Sequence, residues 1–257
     1  MNYIGIDIGS TCAKTAVLNE KKEIIREFVQ PTGWSSIDTA EEILQKLKFA
    51  GINLSDDSSC CVATGYGRIS VPYADKAVTE ITCHALGAVH LFHQPDLTVI
   101  DIGGQDTKII QIEQGFVKDF IMNDKCAAGI GRFLEVMANT LSLRPNEMFE
   151  LARLDSDTTI SSMCTVFAES EVIGLIGKGE PKENIAYAVV DSTIRKVTAQ
   201  LSRMNGEMST FCLTGGLCEC EYIREALSKK LGKEVISSPD ARYAGAIGAA
   251  LSAMKIR

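Results

Sequence analysis

The chain lacks a surplus of positive charge: 26 Lys and Arg stand against 33 Asp and Glu, a formal net charge of −7. Nucleic acid and anionic membrane surfaces repel such a protein, so both are excluded as non-specific partners. It also lacks a basic, apolar N-terminal leader and any apolar run near the ~20 residues needed to cross a bilayer, and we expect a cytoplasmic protein. No linker or low-complexity segment interrupts it. A Walker-type Gly-x-x-x-x-Gly-Lys-Ser/Thr stretch is missing, which removes the commonest competing ATPase fold. Nine cysteines without a secretion signal point to thiols or metal ligands in a reducing compartment, not to disulfides. Hydrophobic content of 46% with 23% charged residues describes an ordinary globular chain.

What is present is a repeat. Ile4-Gly5-Ile6-Asp7-Ile8-Gly9-Ser10-Thr11-Cys12-Ala13-Lys14 and Val99-Ile100-Asp101-Ile102-Gly103-Gly104-Gln105-Asp106-Thr107-Lys108 share one plan, ninety-four residues apart. Each runs from an apolar strand through Asp-Ile-Gly into a tight turn, and then through a Lys into a second strand. Two such hairpins facing one another can clamp a polyphosphate, because glycine lets backbone N–H groups approach phosphate oxygens. Asp7 and Asp101 alone would repel phosphate, so their presence implies a divalent cation, Mg²⁺, held through water. The chain therefore reads as an ATP user. Either segment alone reads equally as a plain hairpin.

The rest of the pattern is α/β, run twice. Strands are expected at 2–8, 13–19 and 23–29, a helix near 37–50, a buried strand at Cys60–Ala63 and a helix near 78–92. The order recurs as strands 97–102, 106–113 and 116–122, with helices near 128–141, 166–177 and 182–204. A strand at Ser209–Leu213, helix 219–231, a short strand near 234–237 and a small-residue helix over 241–254 complete it. We expect one lobe over 1–94, completed by the C-terminal helix 242–257, and a second over 95–241.

The paired hairpins, with Leu213-Thr214-Gly215-Gly216-Leu217 after a late strand, resemble the actin, Hsp70, sugar kinase and acetate kinase superfamily. That resemblance implies two RNase H-like lobes with the nucleotide in the cleft. It implies a first phosphate loop of Ser10, Thr11, Cys12, Ala13 and Lys14, and a second of Gly103, Gly104 and Gln105. Gly215 and Gly216 would lie beside the nucleoside. Asp7 and Asp101 would organise Mg²⁺ and water, and Gln105 would orient the attacking water without adding charge. Lys14 also reads as a solvated surface lysine.

Cys126, in Asn123-Asp124-Lys125-Cys126-Ala127-Ala128-Gly129-Ile130-Gly131-Arg132, and Cys164, in Ser161-Ser162-Met163-Cys164-Thr165-Val166-Phe167, each precede an expected helix. Helix N-termini stabilise anions such as thiolates. Taken singly, either cysteine reads as a buried core thiol. These segments, with Ala63-Thr64-Gly65-Tyr66-Gly67-Arg68, Glu80-Ile81-Thr82-Cys83-His84-Ala85 and both Asp-Ile-Gly turns, resemble ATP-dependent activators of 2-hydroxyacyl-CoA dehydratases, relatives of benzoyl-CoA reductase ATPase subunits. The resemblance covers essentially the whole chain. It implies one 4Fe–4S cluster held by Cys126 and Cys164 of each subunit in a homodimer, since such a cluster needs four ligands.

It further implies ATP hydrolysis, with ADP as product, coupled to delivery of one low-potential electron to a two-subunit iron–sulfur dehydratase. Reduced ferredoxin or flavodoxin would be the donor. Arg132 and the 127–129 backbone, with Ala128 and Gly129, are expected to reach phosphate at a helix start, in the segment between cluster and nucleotide; Arg132 reads equally as a surface arginine. Alternatives are reduction of another iron–sulfur protein, for example of double-cubane type, a small-molecule kinase of the same fold, or a regulatory nucleotide binder. The remaining residues read blandly. Cys60, Cys61 and Cys212 are expected in the core and Cys83 in helix packing, and Cys218-x-Cys220 lacks a second pair for zinc. His84, His90 and His93 read as a solvated or capping group at one helix end, and Trp34 has no evident role.

Overall fold

The computed structural model describes residues 1–54, 58–123, 129–161, 165–206 and 210–256; Cys126, Ala128 and Cys164 lie outside them. The described chain forms two compact units. One comprises Met1–Val99, Ile110–Asp119 and Asp240–Arg257; the other comprises Ile100–Ile109 and Phe120–Pro239.

In the first unit β1 (Asn2–Ile8), β2 (Cys12–Leu18), β3 (Ile24–Pro31), β4 (Ser59–Thr64) and β5 (Lys76–Ala77) form one sheet in the order β3-β2-β1-β4-β5. The first three strands are antiparallel, and β4 runs parallel to β1. Side chains alternate across a strand. Ile4, Ile6 and Ile8 therefore share one face and pack with Ala40, Ile43 and Leu47 of α1 (Ser36–Phe49). Ser35 starts that helix by accepting a bond from Asp38 N through its Oγ at 3.2 Å.

Gly5 and Asp7 take the opposite face, toward α2 (Glu80–Phe92) and α8 (Ala244–Ala253). Here backbones nearly touch. A Cβ on Gly5 would lie 1.8 Å from Ala246 O, one on Gly87 1.9 Å from Ala244 O, and one on Gly248 1.7 Å from Cys83 O. The small-residue helix expected over 241–254 thus has its reason, but it begins at Ala244 because Pro239–Tyr243 winds as a short 3₁₀ turn.

A second sheet orders β6 (Leu97–Ile102), β7 (Thr107–Glu113), β8 (Phe116–Asn123), β9 (Thr210–Gly215) and β10 (Val235–Ile236) as β10-β9-β6-β7-β8. In the second unit Ile100, Ile102 and Ile109 bury against Phe133, Leu134 and Met137 of α3 (Ile130–Thr140) and Val189 and Val197 of α6 (Lys182–Leu201). The short helix α4 (Pro145–Leu151) was not expected. Its signal lies in Arg144-Pro145-Asn146-Glu147: proline occupies the first turn, and Glu147 reaches back to Arg144 N at 2.7 Å. Helices α5 (Thr165–Gly177) and α7 (Glu221–Leu231) complete the unit. Two sheets, each with flanking helices, make up the α/β class expected.

Gly5→Ala should destabilise the protein by roughly 1–3 kcal/mol or more, because backbone rather than a movable side chain blocks the methyl. Gly174→Ala in α5, where a Cβ meets nothing within 4 Å, should be neutral or stabilising by up to about 1 kcal/mol. Urea unfolding midpoints compare the two; equal effects would contradict the packing.

Candidate functional site

A phosphate-binding turn must present N–H groups, so its carbonyl oxygens need other partners. In the first turn they have them. Ile8 O accepts from Gly67 N at 2.8 Å, Gly9 O from Thr32 Oγ1 at 2.7 Å, Thr11 O from Thr32 N at 2.9 Å and Cys12 O from Gly9 N at 3.1 Å. Ser10 and Thr11 form the exposed tip. Asp7, 2% exposed, sits at the end of β1, with Lys14 directly opposite it on β2 and half-buried.

The second turn repeats this. Ile102 O accepts from Gly216 N at 3.1 Å, Gly103 O from Gly131 N at 3.2 Å, Gly104 O from Arg132 N at 2.9 Å and Asp106 O from Gly103 N at 3.0 Å. Gln105 is exposed at its tip. In neither turn do the tip N–H groups, of Ser10 and Thr11 or of Gly104 and Gln105, enter a backbone hydrogen bond among the described residues.

A third element recurs as well. Gly65 just after β4 (φ +83°) and Gly215, the last residue of β9 (φ +84°), are left-handed, a conformation glycine adopts without strain. A Cβ on Gly65 would meet Ile8 O at 2.6 Å and Asp7 Oδ1 at 2.4 Å; one on Gly215 would meet Ile102 O at 2.5 Å and Asp101 Oδ1 at 2.9 Å. Gly215 and Gly216 therefore back the second turn, as Gly65 and Gly67 back the first. The sequence carries this signal as Thr64-Gly65 against Thr214-Gly215, each at the end of a strand.

The aspartates differ in company. Asp101 Oδ1 accepts from Thr214 Oγ1 at 2.8 Å, and Oδ2 lies 3.3 Å from Lys108 Nζ. Lys108 is 1% exposed and also pairs with Asp106 Oδ2 at 2.9 Å. Asp7 instead faces His84, whose Nε2 is 3.8 Å from Asp7 Oδ2 and 3.7 Å from Glu80 Oε1. A Cβ on Gly245 would fall 2.5 Å from Asp7 Oδ2, so only glycine leaves that carboxylate room.

The histidines correct an expectation. His84 is 3% exposed at the start of α2, where the helix faces β1, not in a solvated group at its end. His90 and His93 pair edge to face there, with centroids 6.2 Å apart. Burial and the neighbouring His93 hold His90 below the usual imidazole range. Neither Lys108 nor Thr214 was singled out from sequence, although Asp106 two residues before Lys108 was a cue.

The start of α3 seats on the second turn. A Cβ on Gly129 would strike Gln105 backbone at 2.1–2.4 Å, and the Gly131 and Arg132 N–H groups are those that donate to the turn. The Arg132 guanidinium pairs on the surface with Glu135 at 3.0 Å.

A profile built on ATPases of the BadF/BadG/BcrA/BcrD type matches residues 4–253. The chain belongs to the BadF/BadG/BcrA/BcrD ATPase family. It is 43% identical over 255 residues to the (R)-2-hydroxyglutaryl-CoA dehydratase activating ATPase of Acidaminococcus fermentans, covering 98% of this chain and 96% of that one. To the activator of lactoyl-CoA dehydratase of Anaerotignum propionicum it is 40% identical, over 98% and 97%.

Among solved structures, component A of the Acidaminococcus fermentans dehydratase matches with a TM-score of 0.91 at 42% identity, covering 100% and 98%. The 2-hydroxyisocaproyl-CoA dehydratase activator from Clostridium difficile, with bound ADPNP, matches at 0.89 and 33%, covering 100% and 95%. A ROK family glucokinase from Streptomyces griseus shares the fold alone, at 0.59 and 15%, over 99% and 100%.

Membership in this ATPase family gives the first turn a reporter. Thr32, which bonds Gly9 and Thr11, stands two residues before Trp34, the chain's one tryptophan, which is 101% exposed. Titration with ADPNP should change Trp emission saturably, and Thr32→Val should at least halve the change. Nucleotide bound by equilibrium dialysis with no change in emission would show that the segment does not follow the turn.

Proposed function

We propose that this chain is an ATP-hydrolysing iron–sulfur activator that passes one low-potential electron to a 2-hydroxyacyl-CoA dehydratase. The observation that carries the reading is the seating of α3 on the second turn. Gln105, at the tip, would orient the attacking water, while Gly131 and Arg132 tie the same turn to a helix that follows Cys126 by four residues in sequence. A change of nucleotide state at the turn would thereby be felt by the segment that carries a cluster ligand. The relatives described as dehydratase activators support the choice of partner.

The residues divide as follows. Ser10, Thr11, Cys12, Ala13 and Lys14 would surround one part of the polyphosphate and Gly103, Gly104 and Gln105 another, with Gly215 and Gly216 by the nucleoside. Mg²⁺ would be organised through water by Asp7, with Asp101 completing the pair of turn aspartates; it would offset phosphate charge. The inward carbonyls and the carboxylate at each strand end fit such a ligand.

For the cluster, the described cysteines narrow the choice. Cys60, Cys61, Cys83, Cys212 and Cys218 are buried in strands, helix packing and a turn. Burial raises the Cys83 thiol to about 11 and pushes Cys61 and Cys212 up further, against the thiolate form that a metal needs. Among the described residues no group of three or more His, Cys, Asp and Glu is arranged around one point. Cys12 and Cys220 are half-buried and stay open on burial alone; it is the family resemblance that names Cys126 and Cys164 as ligands, two per protomer, so that a 4Fe–4S cluster would require a second copy. When bound, the cluster supplies one-electron chemistry.

Helix α5, directly after Cys164 in sequence, exposes Phe167, Ile173 and Ile176, apolar side chains that a second copy could cover. Reduced ferredoxin or flavodoxin would recharge the protein, in the cytoplasm. No described helix is long and apolar enough to cross a membrane.

Protein prepared without oxygen should hold four iron and four sulfide per dimer and hydrolyse ATP. Cys126→Ser and Cys164→Ser should each abolish the brown absorption while circular dichroism stays unchanged; a chromophore surviving both replacements overturns the ligand assignment. Gly129→Ala should keep the cluster but lose the change in its electron paramagnetic resonance signal on adding nucleotide, because the methyl cannot sit on Gln105. An unaltered response would remove α3 from the coupling.

A further inference from the structure

Both turns place a lysine seven residues after the aspartate, and the two lysines differ in surroundings. Lys14 is half-buried opposite Asp7, and the turn residue two before it is Cys12. Lys108 is wholly buried, with Nζ 3.3 Å from Asp101 Oδ2 and 2.9 Å from Asp106 Oδ2; Asp106 occupies the place of Cys12. Lys14 thus stands opposite a turn carboxylate in strand register without an ion pair to it, whereas Lys108 pairs with two carboxylates.

We infer that the lysines have separate roles: Lys14 is the cation that meets nucleotide phosphate, and Lys108 is a positioning residue that never does. The inference rests on the ATPase reading given above. Its physical basis is the cost of drawing a buried ammonium away from its carboxylates. For Lys108, 1% exposed, to reach a phosphate it would have to break its pairs with Asp101 at 3.3 Å and Asp106 at 2.9 Å.

In place, Lys108 closes a chain of contacts around the second turn. Through Asp101 it fixes Thr214 at the end of β9, and Thr214 leads into the left-handed Gly215 that backs the turn. Through Asp106 it fixes the residue whose carbonyl accepts from Gly103 N. The span from Gly103 to Asp106, with Gln105 at its tip, is therefore held from both ends by one ammonium. Asp101, placed above in the pair that would organise the cation, accordingly acts through Lys108 and Thr214 as an anchor, and the water-held cation would be organised from the Asp7 side.

The two roles separate in steady-state ATP hydrolysis, with ADP binding by calorimetry beside it. Wild-type protein that neither binds ADP nor hydrolyses ATP ends the ATPase reading and is thereby distinguished from failure of the present inference. With active wild type, Lys14→Met should raise KM and weaken ADP binding roughly tenfold or more, as expected for lost ground-state binding. Lys108→Met should lower kcat roughly 10- to 100-fold through misplacement of Gln105, with KM and ADP affinity within about threefold of wild type.

The paired variant Asp101→Asn/Lys108→Met removes both buried charges and carries the test if Lys108→Met does not fold. It should show the same loss of kcat, a higher Tm than any folded Lys108→Met protein, and a Mg²⁺ concentration for half-maximal rate within about threefold of wild type. A paired variant with wild-type kcat, a raised KM at unchanged kcat for either Lys108 variant, or a tenfold rise in the Mg²⁺ requirement overturns the assignment. So does Lys14→Met with unaltered KM.

Discussion

A backbone turn can hold a polyanion only when its carbonyl oxygens are engaged elsewhere. Eight carbonyls in the two Asp-Ile-Gly turns meet this condition, each through a bond of 2.7–3.2 Å. Half of the bonds come from within the turn or from the glycine-rich segment closing the neighbouring parallel strand. That explains why the repeat extends beyond the hairpin: Thr64-Gly65 and Thr214-Gly215 are needed because a left-handed residue can pass over the Asp-Ile carbonyl without a Cβ in the way. The loop is shaped from behind by the strand end beneath it.

Close backbone approach also explains why a chain of 257 residues can be so economical on its first face. Gly5, Gly87 and Gly248 let α8 lie against β1 and α2 with carbonyls where methyl groups would otherwise be. Asp7 is buried by that packing beside His84, in space that Gly245 leaves open. The helix therefore does two things with one composition: it fills the face, and it sets the surroundings of the carboxylate at the head of the turn.

Much of this was legible in the sequence, and what was not has a common cause. Local grammar sufficed for the strands, for Ser35 at the start of α1, for the small-residue character of α8 and for the burial of Cys60, Cys61 and Cys212. Long-range company did not show. Lys108 reads as an ordinary strand lysine until β9 brings Thr214 to Asp101, 113 residues away in sequence. His84 lies one place after the buried Cys83 on a helix whose packed side is defined by α8, at the other end of the chain. The capping signal at Arg144–Glu147 was local and readable; a seven-residue helix simply falls below the length at which hydrophobic periodicity speaks.

The repeat's value lies in where it breaks. The carbonyls of Gly9 and Thr11 are engaged by Thr32, a residue of the connection between β3 and α1, whereas those of Gly103 and Gly104 are engaged by N–H groups in the first turn of α3. Thr32 reaches a helix only indirectly, through its own carbonyl, which accepts from the Thr39 hydroxyl of α1. The donors of a helix N-terminus are spaced by the helix itself and shift together. Of two turns built to one plan, the second is joined directly to a helix N-terminus, which begins four residues after Cys126 in sequence, and the first only through a threonine to α1. Duplication accounts for the two turns; replacing a threonine by a helix start is where their supports part.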